Sequence, residues 1–151
     1  MKVKEIMHRE VTSVKPDDTA ADALAMLFKM RISGLPVIDA ERKLAGMFTE
    51  KSILRFIMPS YVEKVGRFVY EENPKSTKKK FNDLANVKVG QMMRKEVVTT
   101  SEETSLSEVA RVMLTQHARR LPVVDASLKV VGIVAREDIL KALAKEAETA
   151  V

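Results

Sequence analysis

One block of residues occurs twice in this chain, and the duplication limits the folds open to it. Leu35-Pro36-Val37-Ile38-Asp39-Ala40 returns as Leu121-Pro122-Val123-Val124-Asp125-Ala126, 86 positions on. The same spacing, without a gap, relates Val3 to Val89, Met7 to Met93, Glu10 to Glu96 and Val11 to Val97. It also relates Lys43 to Lys129, Gly46 to Gly132, Ile53 to Ile139 and Leu54 to Leu140. A register held that long marks one structural unit present in two copies. The copies run over residues 1–56 and 89–142, with a connector at 57–88 and a polar tail at 143–151.

Each copy reads as β-α-β-β-α. A short extended piece (Val11 to Val14; Val97 to Thr100) precedes an acidic-plus-Thr cluster that starts a helix, Asp17-Asp18-Thr19 or Glu102-Glu103-Thr104. The first helix places Ala20, Ala23, Leu24, Leu27 and Met30 on one face, and its counterpart Leu106, Val109, Ala110, Met113 and Leu114. A Leu-Pro step then ends helix and begins an apolar strand. A turn leads to a second strand, Leu44 to Phe48 or Val130 to Val134, whose Gly46 or Gly132 allows another backbone or a ligand to come close. A last helix follows Thr49 or Ala135. A copy of about 54 residues is marginal alone. Its strands are apolar on both faces, so one side needs the copy's own helices and the other the sister copy. The expected fold is α/β, two β-α-β-β-α repeats packed with pseudo-two-fold symmetry through their sheets.

Composition removes several functions. The chain has 151 residues, 46% hydrophobic and 31% charged, which suits a globular domain rather than a disordered one. It has no cysteine, which excludes disulfides, thiolate catalysis and cysteine-held metals and suits a reducing, cytoplasmic setting. Its two histidines, His8 and His117, lie far apart in sequence, so no histidine-rich metal site is expected. No apolar run approaches the roughly 20 residues of a membrane span, and the N-terminal Met-Lys-Val-Lys-Glu lacks the apolar core of a signal peptide. No nucleophile–base–acid set and no glycine-rich phosphate loop is present, so neither an enzyme nor a resident cofactor is expected. The net charge of +5 favours anionic partners without choosing among them.

These residues resemble a tandem pair of cystathionine β-synthase (CBS) domains, a Bateman module. The resemblance rests on the Met-then-Val openings (Ile6-Met7 to Val11; Met92-Met93 to Val97) and on the two Leu-Pro-Val-hydrophobic-Asp strands. It rests also on the closing segments Gly46-Met47-Phe48-Thr49-Glu50-Lys51-Ser52 and Gly132-Ile133-Val134-Ala135-Arg136-Glu137-Asp138. Nothing beyond the pair is recognised, so a stand-alone pair is expected. The resemblance implies a cleft between the copies with two related sites for adenosine-containing ligands such as AMP, ADP, ATP, S-adenosylmethionine or NAD. It also implies homodimerisation through the helices and signalling to a regulated protein.

The resemblance assigns the ribose to the Asp of a Thr-x-x-Asp motif, phosphate to basic residues at the helix-to-strand corner, and Val11, Thr12, Ser33, Gly34, Val97 and Val98 to the cleft lining. A carboxylate accepts two vicinal hydroxyls through strong, charge-assisted bonds. Only the second copy keeps the Asp, at Asp138, where the first has Ser52; only the first keeps the Thr, at Thr49, where the second has Ala135. Thr49 also reads as a helix N-cap. Asp138 also reads as a first-turn acid favoured by the helix dipole, but not as half of a capping box. Arg119 and Arg120 suit a bidentate oxyanion contact, or a helix C-terminus. In the family a site combines one copy's closing segment with the other copy's corner. That pairs Thr49, Lys51 and Ser52 with Arg119 and Arg120, and Asp138 and Arg136 with Ser33 and Gly34.

The connector differs in character. Tyr61, Val65, Phe68 and Val69 fall at helical spacing, and Glu71-Glu72-Asn73-Pro74 should end that helix. Lys75 to Lys80 reads as a solvated basic loop; as a nucleic-acid contact it supplies too few phosphate bonds at physiological salt, so no nucleic-acid partner is expected. Three functions stay open: an adenine-nucleotide sensor, a dimerisation module with degenerate sites, and a nucleic-acid binder using the basic connector.

Overall fold

The structure is a computed structural model, described over residues 1–58 and 74–149. The expected aromatic helix around Tyr61 to Val69 lies outside the described residues. In chain order the elements are α1 (Ala20–Met30), β1 (Gly34–Ile38), β2 (Leu44–Thr49), α2 (Glu50–Ile57), α3 (Pro74–Asp83), a short α4 (Val89–Met92), α5 (Leu106–Thr115), β3 (Arg120–Val124), β4 (Val130–Ala135) and α6 (Arg136–Thr149). The strands form two two-stranded sheets, β1 with β2 and β3 with β4. In the second, Leu121 faces Val134 and Val123 faces Gly132 in antiparallel register.

The expected opening strands shrink to one parallel bridge each, Val14 to Val37 and Thr100 to Val123. Proline explains why. Val14 N–H donates to Pro36 O at 3.1 Å, and Ile38 N–H donates to Val14 O at 2.9 Å. The next rung toward the N-terminus needs an N–H from Pro36 and the next rung forward needs one from Pro16; neither residue has one. Pro122 stops the second copy's ladder on the same side.

The chain forms two compact units, and they cut across the repeats. Unit one is Met1–Thr12, Ala40–Leu44 and Val97–Val151; unit two is Ser13–Asp39 and Ala45–Glu96. Each copy thus lends its opening segment to the unit built on the other copy. In unit one Val3 N–H donates to Thr104 O (2.9 Å), Lys4 N–H to Glu102 O (3.0 Å) and Leu106 N–H to Met1 O (3.2 Å). In unit two the same three bonds recur 86 positions away: Val89 N–H to Asp18 O (2.8 Å), Gly90 N–H to Pro16 O (2.9 Å) and Ala20 N–H to Val87 O (2.7 Å). The segments then lie along the second strand of each hairpin. His8 and Ile133 exchange two backbone bonds of 2.9 Å, and Met47 and Arg94 exchange bonds of 2.9 and 2.8 Å. The two hairpin tips meet inside unit one by a further reciprocal pair, Leu44 N–H to Leu128 O and Val130 N–H to Arg42 O.

Glycine makes the docking possible. A methyl group on Gly46 would stand 2.7 Å from Arg94 O, and one on Gly132 would stand 2.8 Å from Met7 Sδ and 3.0 Å from His8 O. The donated segments complete both cores. Val3 and Met7 join Val109, Met113, Leu121, Val123, Val134 and Ile139 in unit one. Leu84 and Val89 join Leu24, Leu27, Leu35, Phe48 and Ile53 in unit two.

Two expectations change, and two segments gain a structure that the sequence left open. Met30 and Leu114, placed on core faces by periodicity, are exposed. The residues expected as a polar tail continue α6 to Thr149, because Leu143 to Ala147 are good helix formers. The basic run expected as a loop is helical within α3, where Pro74 takes the first position and lysine has good helix propensity. The connector also gives Leu84 to the core of unit two.

Both Gly46→Ala and Gly132→Ala should destabilise the protein by about 1–3 kcal/mol, since backbone must move to admit the methyl; urea unfolding of each variant measures this. A second device fastens the opening segment. Glu103 accepts from Lys2 Nζ (2.6 Å) and Lys4 Nζ (2.8 Å). These hydrogen bonds hold its carboxyl down from 4.5 to about 2. The folded value lies below the ordinary one, so this attachment is complete above pH 4.5 and lost as pH falls from there toward 2. The melting temperature of the wild type should fall more steeply across that window than that of Glu103→Gln, and added salt should shrink the difference.

Candidate functional site

The candidate residues gather where β2 runs into α2 and β4 into α6. Both helices begin without an intervening loop, so their first N–H groups need acceptors. The two copies meet that need differently. Thr49 is extended (φ −130, ψ 163) and its hydroxyl accepts from Ser52 N–H; its Oγ1 also lies 3.2 Å from Ser52 Oγ. Ala135 has no acceptor to offer. There Asp138, third residue of α6, reaches back, and its Oδ2 accepts from Ala135 N–H at 2.8 Å. Asp138 is therefore the acidic half of a capping box, which corrects the sequence reading. One two-part device has been divided: the first copy keeps the hydroxyl half and the second the carboxylate half.

The corners are alike in backbone. Arg31 and His117 hold the left-handed conformation (φ 55 at both), ending α1 and α5 at equivalent positions. The next residues bond back into the helix, Ile32 N–H to Leu27 O at 3.2 Å and Ala118 N–H to Met113 O at 3.0 Å. From there Ser33 O accepts Glu50 N–H, and Arg119 O accepts Arg136 N–H, each at 3.0 Å. The backbone ties each closing segment to the corner of its own copy.

Unit one holds Asp138, Arg136, Arg119 and Arg120 together with Val11, Thr12, Val97 and Val98; unit two holds Thr49, Lys51, Ser52, Ser33 and Gly34. Arg119, Arg120 and Arg136 are exposed. Arg120 faces Ala135 across the sheet, and Arg136 Nε donates to Ala118 O at 3.0 Å. Val98 packs on the core of unit one, and Val11, Thr12 and Val97 are half-buried. In unit two Lys51 is exposed, while Gly34 is buried so closely that a methyl there would stand 3.1 Å from Thr49 Cγ2. Carboxylate and cations thus share unit one, and unit two offers a hydroxyl pair and one lysine.

The Asp138 side chain is only 13% exposed, and Oδ1 lies 2.8 Å from Nε2 of His8. The sequence reading missed His8. The available signal was a basic residue directly after the repeated methionine in both copies, His8 and Arg94. Among the described residues no group of three or more His, Cys, Asp or Glu is placed to hold a metal. A shielded carboxylate with spare lone pairs can accept neighbouring hydroxyls, and guanidiniums carried by the same unit can hold an anion.

Thr49→Ala should lower stability by about 1 kcal/mol, and Ala135→Thr should raise it by up to about 1 kcal/mol by completing the box around Asp138. Chemical denaturation of the two variants checks both signs.

Known proteins share this architecture. The CBS domain family pattern matches residues 3–59 and 89–145. The chain is 34% identical over 149 residues to the CBS domain-containing protein CBSX1, chloroplastic, of Arabidopsis thaliana, covering 94% of this chain and 61% of that protein. It is 31% identical over 140 residues to inosine-5'-monophosphate dehydrogenase of Methanocaldococcus jannaschii, covering 93% of this chain and 23% of the enzyme. The chain therefore spans less than two thirds of the length of either relative. Among solved structures, the CBS-pair protein CBSX2 from Arabidopsis thaliana superposes with a TM-score of 0.78 at 27% identity, covering 97% of this chain and 96% of that one. The crystal structure of CBSX2 in complex with AMP gives 0.73 at 28% identity, covering 97% and 98%. With the family pattern found twice, 86 residues apart, on two copies of the same hairpin-and-helix unit, this chain belongs to the CBS domain family.

Proposed function

We propose that this protein is a regulatory module that binds an adenosine-containing ligand, and that unit one carries its better-equipped site. The observation that carries the reading is the grouping of Asp138 with Arg119, Arg120 and Arg136 at one bonded corner. Asp138 accepts the ribose hydroxyls, and the guanidiniums take the phosphate. Val11, Thr12, Val97 and Val98 supply apolar surface in the same unit. Thr49, Ser52 and Lys51, beside Ser33 and Gly34, make a poorer counterpart in unit two, where a hydroxyl stands in place of the carboxylate. A similar protein, CBSX2, has been crystallised with AMP, which supports this ligand class.

The expected homodimer draws support from apolar side chains left exposed at equivalent helix positions. Phe28 (67%) and Leu114 (72%) are one such pair, and Leu54 and Leu140 another. Exposed apolar side chains recurring at the same helix positions in both copies are the residues through which association would bury surface. In this reading ligand binding is communicated to a regulated protein through such surfaces.

The test compares AMP with adenosine by calorimetry on the intact protein. Asp138→Asn, which keeps an oxygen for Ala135 N–H but loses the charge, should weaken AMP at least tenfold, the worth of a charged hydrogen bond. Arg119→Ala with Arg120→Ala should remove most of the preference for AMP over adenosine. Absence of AMP binding to the wild type would overturn the reading.

A further inference from the structure

The carboxylate assigned to the ribose already has partners on both oxygens. Ala135 N–H takes Oδ2 at 2.8 Å, and Nε2 of His8 lies 2.8 Å from Oδ1. His8 does not reach Asp138 by chance of a loose chain. Its backbone exchanges two 2.9 Å bonds with Ile133, and Met7 beside it is buried in the core of unit one. Its Cα is therefore fixed opposite the first turn of α6. The imidazole itself is 63% exposed, so turning it into water sacrifices little burial. Neighbouring charges have other partners. On the same segment Arg9 lies 3.9 Å from Glu102; on α6, Glu137 pairs with Lys141 at 3.0 Å and Arg136 Nε donates to Ala118 O. The residues of β4, Val130 to Ala135, carry no charge. Among the described residues, Asp138 is the titratable group bonded to the imidazole.

We propose that His8 is a gate on the site of unit one: its ring holds Asp138 Oδ1 in the empty protein, and a vicinal diol gains that oxygen by displacing it. This rests on the reading of Asp138 as the ribose acceptor. With the ring in place Oδ1 is occupied, and when the ring turns outward that oxygen is open to the hydroxyls. At the equivalent positions unit two has Arg94 and Ser52, with neither imidazole nor carboxylate, so the device belongs to unit one.

The experiment measures AMP affinity of the intact wild type, His8→Ala and His8→Gln by calorimetry at one pH. His8→Ala frees Asp138 Oδ1 and should bind AMP roughly tenfold more tightly than the wild type. His8→Gln retains a donor for Asp138, so its affinity should stay near that of the wild type. Weaker binding by His8→Ala than by the wild type overturns the proposal and would make His8 a ligand contact. If AMP binds all three proteins equally, the gate falls and the adenosine reading stands. If AMP binds none of them, the adenosine reading falls and the gate with it.

Discussion

The fold depends on a close approach between an opening segment and the second strand of a hairpin. A two-stranded hairpin alone is marginal in water. Here each gains a bonded neighbour from the other copy, through His8 and Ile133 in one unit and Arg94 and Met47 in the other. The approach requires the absence of a side chain at Gly46 and Gly132, since a Cβ would meet backbone oxygen at 2.7 and 3.0 Å. Val3 and Met7, or Leu84 and Val89, then fill cores that a single copy leaves incomplete. Neither half of the sequence is a structural unit alone; the exchange makes two.

The same docking sets the chemistry of the site. It brings His8 to Asp138, and it does so because the opening segment is bonded to β4 one turn from the start of α6. The divided capping box then separates the units further. Thr49 spends its hydroxyl on the end of α2, while Asp138 serves the end of α6 with one oxygen and keeps lone pairs for others. Two copies with one backbone thus differ in charge where a ligand would meet them.

Much of this was legible in residues. Gly46 and Gly132 announced a close neighbour, and both second strands and the helices after Thr49 and Ala135 fall where the pattern put them. The shortened opening strands were also written in the chain, in Pro16, Pro36 and Pro122, but reading them required knowing which carbonyl and which N–H would face one another. Met30 and Leu114 show the limit of periodicity: it finds an apolar face but not how wide a part of it the core covers. The lysine run shows that charge and secondary structure are separate questions, since lysine forms helix readily.

Sequence by itself determined the duplication, the order of elements within each copy, the residue types available for a ligand and the places where backbone must come close. These follow from local properties: side-chain volume, period and the missing N–H of proline. Which opening segment docks on which hairpin, the bond from His8 to Asp138, and the placing of Arg119 and Arg120 in the same unit as Asp138 came only with the tertiary structure. Those pairings join residues far apart in sequence, and the chain carries no local mark that distinguishes a segment folding onto its own copy from one folding onto its sister.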